Sequence, residues 1–248
     1  MPVKKLAIYP EAHLKNKIEN SELSTELLKD NIRDLVDTLR HHEGATFITA
    51  NQIDAKNRVA VIDLRAVYQG FNQDFNFKDD ERYLVLVNPE ILERSKEKID
   101  LAESSLSTPN FSTVNYRSVS CKIKFNRIIL NKDTPTVTAD TTSEAIESTT
   151  ETPTEVQEET EVKVINQKDA LDNFTFKDEE VIFWDNLSYV AQAAVDQLDG
   201  KCYLDLVSYY NKSRFLKMKQ KMINNFKKMF KQQLQQVNGN GRRRKRVS

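Results

Sequence analysis

Side chains able to activate water, attack an acyl carbon or hold a transition metal are scarce in this chain. Its histidines are His13, His41 and His42, and its cysteines are Cys121 and Cys202. No HExxH zinc helix can be written with them. Two cysteines cannot build a disulfide framework, and neither has a histidine near it in sequence. A Cys/His nucleophile pair would need one of the three histidines to arrive through folding, so a buried structural cysteine is the expectation at both positions. The one chemistry written densely into the sequence is electrostatic. Between Leu206 and Ser248 there are 13 Lys or Arg residues and no Asp or Glu, ending in Arg242, Arg243, Arg244, Lys245 and Arg246 after a glycine-rich hinge, NGNG. Such a segment neutralises phosphates without any base-reading fold. For its helical part alone, a solvated basic face on a docked helix is the competing reading.

The elements that position these groups follow from periodicity. From Ser24 to His42, the residues Leu27, Leu28, Ile32, Leu35, Val36 and Leu39 recur at three- and four-residue steps, which predicts an amphipathic helix with Ser24 as N-cap. The runs RVAVIDL (58–64), YLVLVNP (83–89) and SVSCKIKFNRIIL (118–130) predict strands, with a loop from Gln69 to Arg82. NFTFKDEEVIFWDN adds strand-like runs, and LSYVAQAAVDQLDG reads as a buried helix closed by Gly200. KCYLDLVSYY is apolar enough to pack on the core. From Ser213 to Val237, Phe215, Met218, Met222, Ile223, Phe226, Met229, Phe230, Leu234 and Val237 form one face of a long helix, opposite a lysine face.

Length and composition fit one α+β domain with appendages: 248 residues, 39% hydrophobic, and 37 basic against 37 acidic side chains. The charges cancel between segments rather than within them. Residues 134–162 hold eight acidic side chains and ten threonines with no basic or aromatic residue, a composition that cannot offset its chain entropy by burial. The expected organisation is a domain over 1–130 with 170–208, a disordered acidic Thr/Glu-rich insertion over 131–169, a basic amphipathic helix over 209–237 and a disordered basic tail over 238–248. No stretch approaches a membrane span, and MPVKKLAIYPEAHL lacks an apolar h-region, so a cytoplasmic protein without a membrane partner is expected.

Three segments, in order, resemble the signature motifs of peptide deformylases, metal hydrolases that remove the N-formyl group from nascent chains. The helix at 24–42 followed by EGATFITANQID is similar to the family's glycine-rich first motif, with Gly44 and Gln52 at its ends. The second glycine and the paired alanines of that motif are absent, and the spacing is one residue longer. ESSLSTP (103–109) matches EGCLSxP at Glu103, Leu106, Ser107 and Pro109, and Arg117 sits where the family keeps an arginine. QAAVDQLDG (192–200) falls on QHExDHLxG, keeping Gln192, Asp196, Leu198 and Gly200. The resemblance covers about 200 residues and implies the deformylase-like α+β fold, with mixed or antiparallel strands around a helix of the C-terminal half. A basic C-terminal helix that docks on the ribosome is implied as well.

The same resemblance marks what is missing. The family's metal-binding cysteine and two histidines fall on Ser105, Ala193 and Gln197, and its proton-transferring glutamate falls on Ala194. A serine hydroxyl, a methyl group and an amide form no high-affinity site for iron, zinc or nickel. Without a metal-activated water and a general base, the usual hydrolysis is lost. Gly44, Gln52, Glu103, Leu106 and Arg117 remain as a vestigial substrate or oxyanion groove, or as packing and turn residues; Phe47 and Ile48, where the family has smaller side chains, are expected to fill that groove. The expected function is therefore that of an inactive deformylase-like protein without cofactor, binding the ribosome or a nascent N-terminus, with Lys217, Lys221, Lys228, Arg242, Arg243, Arg244, Lys245 and Arg246 on ribosomal RNA. The alternatives are an active enzyme with an unusual metal site and a regulatory partner of an active deformylase.

Overall fold

The structure, a computed structural model, describes residues 3–69, 82–130 and 174–244. The expected loop after Gln69, the acidic insertion, and Lys245 and Arg246 lie outside these residues. Among the described residues, seven strands form two antiparallel sheets. β1 (Phe47–Thr49), β2 (Val59–Asp63), β3 (Tyr83–Arg94), β6 (Ser120–Leu130) and β7 (Phe174–Trp184) make a five-stranded sheet in the order β1-β2-β3-β6-β7. β4 (Lys98–Ser104) and β5 (Ser112–Ser118) make a separate hairpin. Every strand pairing is antiparallel, which narrows the mixed-or-antiparallel expectation.

Burial explains the central strand. All five residues of β2, VAVID, are buried, and their branched side chains suit a strand covered on both faces. One cover is α1 (Glu26–His41), which lays Leu28, Ile32, Leu35 and Leu39 on β1 and β2. Its cap is Thr25, not Ser24: Thr25 has the extended backbone that an N-cap needs, and its hydroxyl accepts from Leu28 N at 3.3 Å. After α2 (Leu64–Tyr68), the next long helix is α3 (Asp185–Leu198), which packs on β1, β2, β3, β6 and β7. α3 closes as expected at Gly200, where Gly200 N bonds Gln197 O and Lys201 N bonds Asp196 O, a Schellman ending.

β3 runs past its expected end at Pro89 because register shifts between Val87 and Glu90 and between Ile91 and Glu93 let the proline sit at a bulge. The β4–β5 hairpin escapes hydrophobic pattern reading for a different reason. Its inward residues include Glu103, Asn115 and Arg117, so alternation is present in burial but not in polarity.

A second, smaller core joins Ala7, Tyr9, Leu14, Cys202, Tyr203, Leu204 and Phe215. It seats α4 (Tyr203–Leu206) and the start of α5 (Tyr209–Arg244). The expectation that KCYLDLVSYY packs on the core holds for Cys202, Tyr203, Leu204 and, in part, Val207, whereas Leu206, Tyr209 and Tyr210 are exposed. Among the described side chains of α5, Phe215 and in part Met218 dock on this core, while Leu216, Met222, Ile223 and Met229 are exposed. A 36-residue helix is roughly 54 Å long, more than the small second core can cover. α5 also continues beyond Val237 through NGNG to Arg244. Glycine weakens a helix by about 1 kcal/mol but keeps its N–H, so without proline this stretch need not act as the expected hinge.

Gly200 has φ +76°, and a Cβ built there would lie 2.3 Å from Lys15 O, whereas Gly44 has φ +81° and open space around it. Gly200→Ala should destabilise the fold by roughly 3 kcal/mol or more, and Gly44→Ala by about 1 kcal/mol. Urea unfolding of the two variants checks both values.

Candidate functional site

Three short pieces of chain meet at the site. The first is a single 3-10 turn, Ala50–Ile53, closed by a capping box in which Thr49 N donates to Gln52 Oε1 at 2.9 Å. This leaves the buried Gln52 amide nitrogen to donate outward, to Ser107 Oγ at 3.1 Å and Ser105 Oγ at 3.3 Å. The second piece is the return of the β4–β5 hairpin. Ser107 N donates to Ser105 Oγ at 3.2 Å, and Thr108 Oγ1 donates to Ser105 O at 3.1 Å and lies 2.9 Å from Tyr203 Oη. The third is α3, where Ala193, Ala194 and Gln197 are all buried. Asn51 Nδ2 donates to Gln197 O, fastening the 3-10 turn to that helix.

Beneath these pieces lies a buried ion network. Arg117 Nη2 and Nε meet Glu103 at 2.7 and 3.0 Å, and its Nη1 bonds Asp196 of α3. Asn115 Nδ2 adds a 2.9 Å bond to Glu103, and Arg94 reaches Asp196 at 3.2 Å. Burial by itself would lower the Arg117 pKa, but its pairing with Glu103 and Asp196 outweighs that and raises it above the ordinary value. Gln192 ties the same helix to β5: its Nε2 donates to Ser118 O at 2.8 Å, and its Oε1 accepts from Ser118 N at 3.2 Å.

This corrects part of the expected groove. Glu103 and Arg117 are 9% and 5% exposed, and their charged atoms are committed to each other and to Asp196. They are framing residues, not groove-facing ones. Gln52 and Leu106 do lie beside Ser105, with Leu106 partly buried against the main core, and Gly44 supplies the left-handed turn before β1. Phe47 and Ile48 are buried in the main core as strand residues. Asn51 and Arg94 carry no sequence signal of their role, because each acts through a contact made across the fold. Lys217, Lys221 and Lys228 stand exposed on α5, which also includes Arg242, Arg243 and Arg244.

The residues at the expected metal positions do not fit a divalent transition metal. Ser105 Oγ accepts from both Gln52 and Ser107 N, Ala193 offers a methyl group, and the Gln197 amide nitrogen is a donor rather than a ligand. That nitrogen is buried without a hydrogen-bond partner among the described residues. No group of three or more His, Cys, Asp or Glu side chains that could hold a metal occurs among the described residues. The cysteines do not replace it. Burial pushes the Cys202 thiol up to about 11 and raises that of Cys121, so both are neutral at pH 7. Burial lowers the His42 pKa, and His41 and His42 stack edge to face.

The family model described as polypeptide deformylase matches residues 3–146, more than half of the chain. The chain belongs to the polypeptide deformylase family. The match includes the first two motif segments and stops before α3. A peptide deformylase-like protein of Rickettsia conorii is 33% identical over 103 residues, covering 40% of this chain and 50% of its own length. The Aquifex aeolicus peptide deformylase is 34% identical over 123 residues, covering 49% of this chain and 65% of its own. The chain thus spans between half and two thirds of these curated relatives. Among solved structures, a peptide deformylase from Legionella pneumophila superposes with a TM-score of 0.60 at 18% identity, covering 92% of this chain and 97% of that one. The Ehrlichia chaffeensis peptide deformylase in complex with actinonin gives 0.60 at 16% identity, covering 89% and 98%. These structures share the deformylase fold. No helix among the described residues is long and apolar enough to cross a membrane.

Two predictions follow from the deformylase frame. Arg117→Ala leaves Glu103 and Asp196 buried without their shared cation and should cost about 3–5 kcal/mol in urea unfolding, whereas Arg94→Ala, at a half-exposed pair, should cost less than about 1 kcal/mol. The second concerns alkaline pH. Burial raises Cys202 from 9.0 to about 11 and Tyr203 from 10.0 to about 12. Both groups ionise earlier in the unfolded chain, so stability is full below about pH 9 and falls as pH rises from there towards about 12. Cys202→Ala should flatten the first part of that fall in denaturation series run across this range.

Proposed function

We propose that this member of the deformylase family does not hydrolyse formyl amides and acts by binding the ribosome through α5. The observation that carries the first half is that the frame of the site is kept while each chemically active position holds an inert side chain. Gln52, Glu103, Ser107, Arg117, Gln192, Asp196 and Gly200 all make frame contacts. Ser105, Ala193, Ala194 and Gln197 offer no thiolate, imidazole or carboxylate. Amide hydrolysis at neutral pH needs a nucleophile stronger than water, and lowering a bound water's pKa to about 7 is the metal's contribution. A general base adds about two to four powers of ten, and Ala194 cannot serve as one.

The remaining chemistry is on the surface. From Leu206 onward the sequence holds no Asp or Glu, and the exposed lysines of α5 stand clear of the domain. Phosphate neutralisation by such a row yields binding that is steeply salt-dependent and indifferent to base sequence. The ribosome presents a large phosphate surface, and nascent N-termini, the substrates of deformylation, emerge from it.

Purified full-length protein from metal-replete expression should contain well under one equivalent of iron, zinc, nickel and cobalt. It should give no turnover of a formyl-Met peptide when these metals are added; stoichiometric metal together with turnover would overturn the inactive reading. The protein should cosediment with ribosomes at low salt, and the triple variant Lys217→Glu, Lys221→Glu, Lys228→Glu should not. These side chains are exposed, so the variant preserves the second core that deletion from Tyr209 would break. Unchanged cosedimentation of the triple variant would sink the ribosome reading.

A further inference from the structure

We infer that Tyr210 is a base-stacking platform at the head of the basic row on α5, and that the row takes unpaired RNA. Tyr209 and Tyr210 open the helix at 85% and 70% exposure. At about 100° per residue, Tyr210, Arg214, Lys217, Lys221 and Lys228 fall within an arc of about 60° on the helix, spread over about 27 Å of its length. All five are exposed. Phe215, the residue that seats the helix, and the exposed Met222 and Met229 lie off the row, about 90–130° round the helix. Arg214 stands 5.9 Å from the Tyr210 ring centroid, so a planar cation and an aromatic face share the same patch.

The position of the tyrosine selects among polyanions. An acidic protein surface would satisfy the lysines through its carboxylates without calling on the phenol ring. A lipid surface would draw an aromatic ring to the side of Met222 and Met229, where interfacial helices bury their bulky residues. An unpaired nucleotide uses both features at once: its phosphates meet the basic side chains, and its base covers the ring. Duplex RNA keeps its bases stacked on each other and can use only the charges. Tyr209 is the internal control. It is as exposed as Tyr210 but lies about 100° off the row.

This inference deepens the ribosome-binding reading and rests on it. The test uses the full chain with a labelled non-pairing RNA of about 12 nucleotides, within the span of single-strand sites, and a duplex of equal length, both followed by fluorescence anisotropy. Tyr210→Ala should weaken single-strand binding about five- to a hundredfold while leaving duplex binding and the salt slope unchanged. Tyr210→Phe should restore it, and Tyr209→Ala should have little effect. Lys217→Ala, Lys221→Ala, Lys228→Ala together should weaken both RNAs and reduce the salt slope on the single strand by about 2. If Tyr210→Ala binds the single strand as tightly as the native chain, or if Tyr209→Ala loses as much, the stacking platform is wrong while phosphate binding stands. Loss of ribosome cosedimentation in Tyr210→Ala with unchanged binding to the single strand would assign the tyrosine to a protein surface and overturn the inference. If neither RNA nor ribosomes bind the native chain, the ribosome-binding reading itself fails.

Discussion

The bond of Arg117 to Glu103 on one side and Asp196 on the other is the interaction on which the site depends. It joins the β4–β5 hairpin, which lies outside the five-stranded sheet, to the helix that crosses that sheet. The inward face of this hairpin is polar, so apolar burial alone cannot hold it against α3. A buried cation is tolerable only when its partners are in place and its donors are used. Here both carboxylates are nearly buried, and the guanidinium is bidentate to one of them. The geometry is therefore all-or-none, which fixes where the turn at Ser105 to Thr108 must stand.

From that fixed turn the rest of the site follows by hydrogen bonding between neutral groups. Gln52 spans from its 3-10 turn to Ser105 and Ser107, Asn51 spans to α3, and the N-terminal segment closes over both through Ala7 N to Gln52 O and Tyr9 N to Ser107 O. None of these bonds needs a metal. A frame held by an ion triad and amide bonds can lose thiolate, imidazole and carboxylate from its reaction centre without losing its shape. Ser105 is better integrated as a hydroxyl accepting two hydrogen bonds than a free thiol would be, since sulfur accepts weakly.

The second core has a different task. Tyr9 packs edge-on against Phe215 while its hydroxyl donates to Asp205, and Asp205 in turn holds Lys212 at 2.6 Å. Those hydrogen bonds, first to Asp205 and then to Tyr9, raise the Lys212 pKa and keep the side chain charged at the root of α5. Lys219 Nζ donates to Tyr9 O about two turns further along. The helix is thus clamped over its first turns, and the described side chains of Lys217, Lys221 and Lys228 beyond them are exposed, an arrangement that presents a charged face at a fixed root.

Sequence alone determined the elements whose signal is local. Apolar spacing marked α1 and α3, branched runs marked β2, β3 and β6, Gly200 marked the end of α3, and the absence of acidic residues marked α5 as a strongly basic surface. Motif order then carried the family, because Gly44, Gln52, Glu103, Ser107, Arg117, Asp196 and Gly200 keep the places the resemblance assigns them, with Ser105, Ala193, Ala194 and Gln197 between them. The β4–β5 hairpin was not legible, since its buried face carries charge and pattern reading assumes that buried means apolar. Nor was the true office of Glu103 and Arg117: spacing placed them near a groove, and only the arrival of Asp196, 79 residues from Arg117 in sequence, shows them closed on a third partner. The partial docking of α5 was equally hidden. Periodicity defines an apolar face, but how much of it is covered depends on the size of the surface it meets, and that surface is assembled from residues as distant as Tyr9 and Phe215.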